Sequence, residues 1–235
     1  MPATVTASPR IRTQDPWLVE LVGPAGAGKS TLAASLPAQD PDVAQGPNLW
    51  GLPRALLVAS AIELLPTMIA AAIRGRPLHK PEIGQMIRIG ALRRALSHTR
   101  TRGHRTMVID EGAVFGLAWL EMFYEAHDDP WRSLWRRRER EQWAARLDAV
   151  VRLDADDPEL ARRIRTRAKE HMVKDRNDEE IQVFMARFRD CYDQVIGDMA
   201  ARGSLAVQSL STGGAPVPDR VARLREAIEE SLHVR

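Results

Sequence analysis

The chain has 235 residues, a formal net charge of +3, 44% hydrophobic and 28% charged residues. That length supports one sizeable core, and the composition is that of a globular protein rather than a disordered or fibrous one. So small a net charge gives no bulk argument for nucleic acid, and the single Cys191 excludes an internal disulfide, which fits a reducing cytoplasm.

Met1 to Pro16 contains Thr, Pro and Arg without an apolar run and reads as a short N-terminal arm, not a signal peptide. From residue 17 to 235 the pattern is that of a single P-loop domain. Trp17 to Val22 reads as a buried strand, and Gly23-Pro-Ala-Gly-Ala-Gly-Lys-Ser-Thr31 follows it, matching G-x-x-x-x-G-K-[ST] without a mismatch. Gly23, Gly26 and Gly28 let consecutive N–H groups, including that of Ala27, curl toward an anion, and Thr31 opens the following helix. Lys29 can reach the β- and γ-phosphates, and Ser30 can offer its hydroxyl to Mg²⁺. The expected cofactors are ATP and Mg²⁺.

Pro37 to Pro53 is loop by composition. Ala55 to Ile73 is strongly apolar, but Glu63 and Pro66 interrupt it; a buried or pocket-lining helix kinked near Pro66 is expected rather than a membrane span. A helix over Glu82 to Arg102 carries Ile83, Met86, Ile89, Leu92 and Leu96 on one face. With the Asn48–Gly51 loop, the Met68–Arg76 region, Arg88 and the start of the next helix, these segments (about 48–102) form the expected acceptor side. Trp50 or Phe115 can stack on a base or sugar, and Arg88 can hold an acceptor phosphate.

Thr106 to Asp110 is a short buried strand ending in an acid, where Asp110 can support Mg²⁺. Glu111 either accepts the proton of an acceptor hydroxyl or supports the site from behind. A helix is expected over Ala113 to His127 and another over Trp131 to Leu147. The segment Trp131 to Glu141 interleaves two Trp with five Arg and two Glu. Such a surface can bind single-stranded nucleic acid or a membrane face, although the acids partly neutralise it. Ala149 to Asp154 is a further strand and Leu205 to Leu210 the last. Amphipathic helices lie between them and after them. Strands separated by helices predict a three-layer α/β/α sandwich around a mainly parallel five-stranded sheet.

Seven Lys and Arg fall between Arg162 and Arg176. Arg163 and Arg167 are four apart on one helix face, and guanidinium groups so placed can stabilise charge spreading over a transferred phosphoryl. A helical, Arg-rich lid over about 160–178 is the expectation.

At these residues the chain resembles the thymidylate kinases and related nucleoside and nucleotide kinases. The resemblance rests on the P-loop, Arg163-x-x-x-Arg167, Asp175-Arg-Asn-Asp178 and the Phe184…Tyr192 helix. It covers the P-loop and the C-terminal third, and it implies lid cations at Arg163, Arg167 and Arg176. The chain departs from those enzymes at Pro24-Ala25-Gly26, where they carry an acid, and at Asp110-Glu111-Gly112, where they carry Asp-Arg-[Tyr/Phe/His]. Both departures fall on acceptor-side residues, so the resemblance implies the reaction class more than thymidylate as substrate. The expected function is an ATP-dependent kinase acting on a small nucleoside, nucleotide or sugar-like acceptor. A regulatory NTPase and a 5′-hydroxyl polynucleotide kinase are the alternatives. A homodimer is compatible with the sequence.

Overall fold

The structure, a computed structural model, describes residues 16–98, 103–124, 129–168 and 170–233. The expected arm over 1–16, the last turn of the 82–102 helix, the 125–127 end of the next helix and Lys169 lie wholly or mainly outside them.

Five strands form one fully parallel sheet in the order β2-β3-β1-β4-β5. They are β1 (Trp17–Val22), β2 (Val43–Gln45), β3 (Thr106–Asp110), β4 (Ala149–Asp154) and β5 (Ala206–Ser211). Successive residues of β1 face opposite layers, so both must be apolar. Leu18 and Val22 join Met107, Ile109 and Val150 on one face. Val19 and Leu21 join Val108, Val151 and Leu153 on the other. The first face is covered by α3 (Lys80–His98), α4 (Ala113–Phe123), α5 (Pro130–Ala144) and α7 (Asp178–Ala200). The second is covered by α1 (Lys29–Gln39), α6 (Asp157–Thr166) and α8 (Val217–His233). Helices on both faces of a parallel sheet complete the three layers expected from the sequence.

Two segments differ from their expectation. The stretch 37–53 contains the short edge strand β2, whose three residues pair with Thr106, Met107 and Val108. Too short for a visible alternation, β2 owes its strand conformation to the ladder it joins.

The second is α2 (Arg54–Ile73), which runs through Pro66 and packs on α3 and α5. It buries only Ser60, Leu64 and Ala71, while Val58, Ile62, Leu65, Ile69 and Ile73 are exposed, the last to 79%. It is therefore neither buried nor pocket-lining. Composition counts apolar residues, whereas burial depends on how many faces have a neighbour. By length and composition alone α2 would also pass for a membrane span, at a mean hydropathy of 2.1.

Candidate active site

In this strand order β1 lies between β3 and β4, so the loops after all three open at one edge of the sheet. That edge is the crevice outside the carboxyl ends of the strands where doubly wound sheets hold ligands. Gly23, Gly26 and Gly28 adopt φ of 140°, 85° and 88°. At Gly23 a Cβ would lie 2.0 Å from the Leu153 carbonyl oxygen, so the loop can run this close to β4 only as glycine. Gly28 is the N-cap of α1, which begins at Lys29 and presents Ser30 and Thr31 in its first turn.

Lys29 Nζ donates to the Gly23 carbonyl at 2.7 Å and to the Pro24 carbonyl at 3.0 Å. Burial lowers its pKa to about 8, against the opposing fields of Glu111 and Asp110. Asp110 is 3% exposed and its Oδ1 has no hydrogen-bond partner. A buried carboxylate oxygen left bare at the end of β3 fits a hydrated cation beside the P-loop. Among the described residues no three His, Cys, Asp or Glu form a metal cluster. The donor set thus suits a metal carried in by phosphate oxygens, not a protein-built cage.

Glu111 lines the cavity and takes φ 49°, the one positive value among described non-glycine residues. The left-handed turn is fixed on both sides. Leu49 N–H donates to the Glu111 carbonyl at 3.2 Å, and at Gly112 a Cβ would lie 2.7 Å from the Glu20 carboxyl carbon. Strain held by its surroundings is a mark of positioned groups.

Glu20 itself was not singled out from the sequence. It is wholly buried on β1, and its carboxylate accepts the Val114 and Phe115 N–H groups at 3.0 Å each. These are free donors in the first turn of α4, whose own N-cap, Gly112, offers no side chain. Burial raises the Glu20 pKa to about 7, although four backbone donors act the other way.

Arg163 and Arg167 both reach the cavity, but in different states. Arg163 Nη1 donates to the Gly26 carbonyl at 3.0 Å, and Nη2 donates to the Thr212 carbonyl at 2.9 Å and to Glu159 at 2.6 Å. Its helix buries Leu160, Ala161 and Ile164, so the first half of the expected lid is part of the core. Arg167 is the C-cap of α6; its backbone N–H donates to the Arg163 carbonyl at 3.2 Å, while its guanidinium makes no hydrogen bond or ion pair among the described residues. Beyond α6, Glu170, His171 and Met172 line the cavity together with Arg167.

Arg176 is not in the cavity. It pairs with Glu180 at 3.4 Å, while Asn177 and Glu180 form the capping box that starts α7. The D-R-x-D resemblance is thus a helix start in this chain.

The cavity has a volume of about 480 Å³. Its far wall consists of Trp50, Phe115, Trp119 and Phe123, facing Phe184, Phe188 and Tyr192. Only Trp50 and Phe115 were expected there. The others sit at i, i+4 and i+8 along α4 and α7, a spacing that reads equally well as core packing. Neither the Met68–Arg76 region nor Arg88 lines the cavity; the Arg88 guanidinium instead lies 5.0 Å over the Trp50 ring. Of the five arginines of the basic helix α5, Arg137 and Arg138 are exposed and the other three are committed internally. Arg136 bonds Glu121 and the Tyr124 carbonyl, Arg140 bonds Glu121 and Asp198, and Arg132 pairs with Glu82. Cys191 is buried in the α7 packing.

The sequence profile described as an AAA domain matches residues 18–191. No curated protein matches the chain. Among solved structures, thymidylate kinase from Candida albicans is similar, with a TM-score of 0.54 and 16% identity over 92% of each chain. Deoxyadenosine kinase from M. mycoides with bound dCTP gives a TM-score of 0.53 and 14% identity, covering 91% of this chain and 99% of that one. The same enzyme with bound dATP gives 0.53 and 11%, covering 90% and 99%. Such low identities establish a shared fold. The chain belongs to the AAA-domain family, and its fold is that of the P-loop nucleoside and nucleotide kinases.

Proposed function

We propose that this protein is an ATP-dependent phosphotransferase that moves the γ-phosphoryl group to a hydroxyl of a small acceptor held in the aromatic cavity. One observation carries this reading. A single cavity joins the P-loop to an apolar chamber, and all its lining cations, Lys29, Arg163 and Arg167, stand at the phosphate end. An acceptor that already bore a phosphate would call for a cation at the far end. Among the described lining residues there is none, since Arg88, 5.0 Å over the Trp50 ring, does not itself line the cavity. A hydroxyl acceptor needs a base instead, and Glu111 lines the cavity where the chamber meets the P-loop turn.

In this reading the P-loop N–H groups and Lys29 bind the β- and γ-phosphates, and Lys29 exchanges its Gly23 and Pro24 carbonyls for phosphate oxygens. Ser30 and Asp110 would hold Mg²⁺, which supplies charge neutralisation at the β- and γ-oxygens. The Arg167 guanidinium, without a hydrogen bond or ion pair among the described residues, turns onto the transferred phosphoryl, and Arg163 braces the P-loop at Gly26. Glu170, His171 and Met172, which line the cavity, keep water from competing with the acceptor. Glu111 takes the hydroxyl proton as the new P–O bond forms. An apolar chamber beside the phosphate site favours this over a regulatory NTPase, and the internal pairing of Arg132, Arg136 and Arg140 speaks against an oligonucleotide acceptor. The reading places the enzyme in the cytoplasm, where ATP is available.

The test is ADP release from Mg-ATP by the purified protein, alone and with pooled small hydroxyl compounds and short oligonucleotides. A rise of at least about tenfold with a small-molecule pool supports the reading. Release that no pool changes overturns it in favour of an NTPase.

A further inference from the structure

We propose that the acceptor is a flat, largely apolar alcohol or phenol, with one phosphorylatable hydroxyl on an aromatic or fused-ring body, and not a nucleoside or a sugar. This rests on the kinase reading and names its acceptor class.

The chamber offers ring faces and little else. Phe115 and Phe188 stack with centroids 6.2 Å apart, Phe184 and Phe188 lie at 5.7 Å, and Trp119 and Phe123 at 5.0 Å. These are the separations at which aromatic rings attract each other, so a planar guest extends an array that already exists. Met172 and Met185 fill the remaining wall with adaptable apolar contact.

Apart from the indole N–H groups of Trp50 and Trp119, polar groups outside the P-loop and its arginines are few. Glu111 lines the cavity, as does Tyr192, 1% exposed, whose hydroxyl lies against the Gly23 backbone. At the mouth are Glu170 and His171, whose ring packs edge-on against Phe184 at 5.8 Å. Among the described lining residues there is no Asn or Gln, and the Ser and Thr belong to the P-loop helix.

A nucleobase carries several donors and acceptors on its edge, and a sugar carries several hydroxyls. Each such group buried without a partner weakens binding by roughly tenfold. Gln85, the nearby amide, is buried behind α4. Its Nε2 is unpartnered and would meet a Cβ at Gly116 at 3.1 Å, but Gln85 does not line the cavity. The chamber therefore penalises polar guests and rewards apolar ones whose lone hydroxyl reaches Glu111 and Tyr192.

The step balances without a further reactant. The acceptor oxygen forms a bond to the γ-phosphorus, the bond from that phosphorus to the bridging oxygen breaks, and ADP leaves with the electron pair. The acceptor proton passes to the Glu111 carboxylate and then to water.

The test is calorimetric titration of the full chain, with Mg-ADP present, using 2-naphthylmethanol and indole-3-ethanol against thymidine, deoxyadenosine and glucose. At least one aromatic alcohol should bind about tenfold or more tighter than every nucleoside and sugar. Trp50→Ala, at a ring 54% exposed, removes a wall without opening the core and should weaken that alcohol about fivefold. Equal or tighter binding of a nucleoside, or no binding by either alcohol, overturns the proposal. ADP release read in parallel separates the two conclusions. Tight alcohol binding without faster release would remove the kinase reading and leave the chamber's preference standing. Faster release with a nucleoside alone would do the reverse.

Discussion

Glu20 Oε1 accepts the Phe115 backbone N–H at 3.0 Å, joining the strand that leads into the P-loop to the first turn of the helix that walls the aromatic cavity. A residue on β1 thereby sets where Phe115 stands and backs the turn that holds Glu111. Its buried carboxyl, with a pKa near 7 in place of 4.5, makes stability depend on pH. Between those values the folded chain binds more protons than the unfolded one, so stability falls as pH rises from about 4.5 to 7 and levels off above. The full change is roughly 3 kcal/mol. Melting temperatures taken from pH 5 to 8 should fall for the native chain, and Glu20→Gln should flatten that decline. An identical slope in both proteins would refute the assignment.

Lys29 carries a second pH dependence. Its pKa in the free protein is about 8, and a triphosphate selects the protonated form. The charged amine is present below that value and lost above it, so Mg-ATP affinity should drop as pH rises past 8. Binding near pH 8 should take up a proton, measurable by calorimetry in buffers of different ionisation enthalpy. Lys29→Ala should abolish both the uptake and turnover.

Glu111 separates stability from activity. Its φ of 49° is strained for a residue with a Cβ, by roughly 1 kcal/mol or more. Glu111→Gly should therefore keep or raise the melting temperature while turnover falls by about 10²-fold or more. Glu111→Gln should lose the same activity with little change in Mg-ATP binding. A loss below about tenfold in both variants would mean that Glu111 is not the base.

Arg163 and Arg167 should part company when truncated. Arg163 ties α6 to the Gly26 and Thr212 carbonyls, so Arg163→Ala should lower stability by about 1–3 kcal/mol and weaken Mg-ATP binding. Arg167 has no such bonds to lose. Arg167→Ala should leave the melting temperature unchanged and reduce kcat by about 10²-fold. Thermal melts and steady-state kinetics on the two variants decide the matter.

The parts of the site that the sequence reveals are those whose chemistry is local. The phosphate cradle needs glycines, a lysine and a hydroxyl in one short run, and a parallel strand buried on both faces is a contiguous apolar string. Relations across the chain leave no such trace. Nothing near Glu20 announces that it caps a helix more than ninety residues later. Nor does spacing say whether Trp119, Phe123 and Phe188 line a cavity or fill one. Arg163 and Arg167 look equivalent at four residues apart, and only the carbonyls around the first make it a brace. The exposed stripe of α2 was hidden for the converse reason, since apolar content does not reveal that one side of the helix lacks a neighbour.

The parallel sheet also divides labour. Phosphate-binding α1 and the arginine-bearing α6 belong to one layer, whereas α4, with Phe115 and Trp119, belongs to the other. Between them runs a wall of β-strands whose two faces pack independently. Side chains on the α4 side can thus be exchanged to suit a different guest while the triphosphate grip is left alone. A lineage built on this plan could change its diet without relearning how to handle ATP.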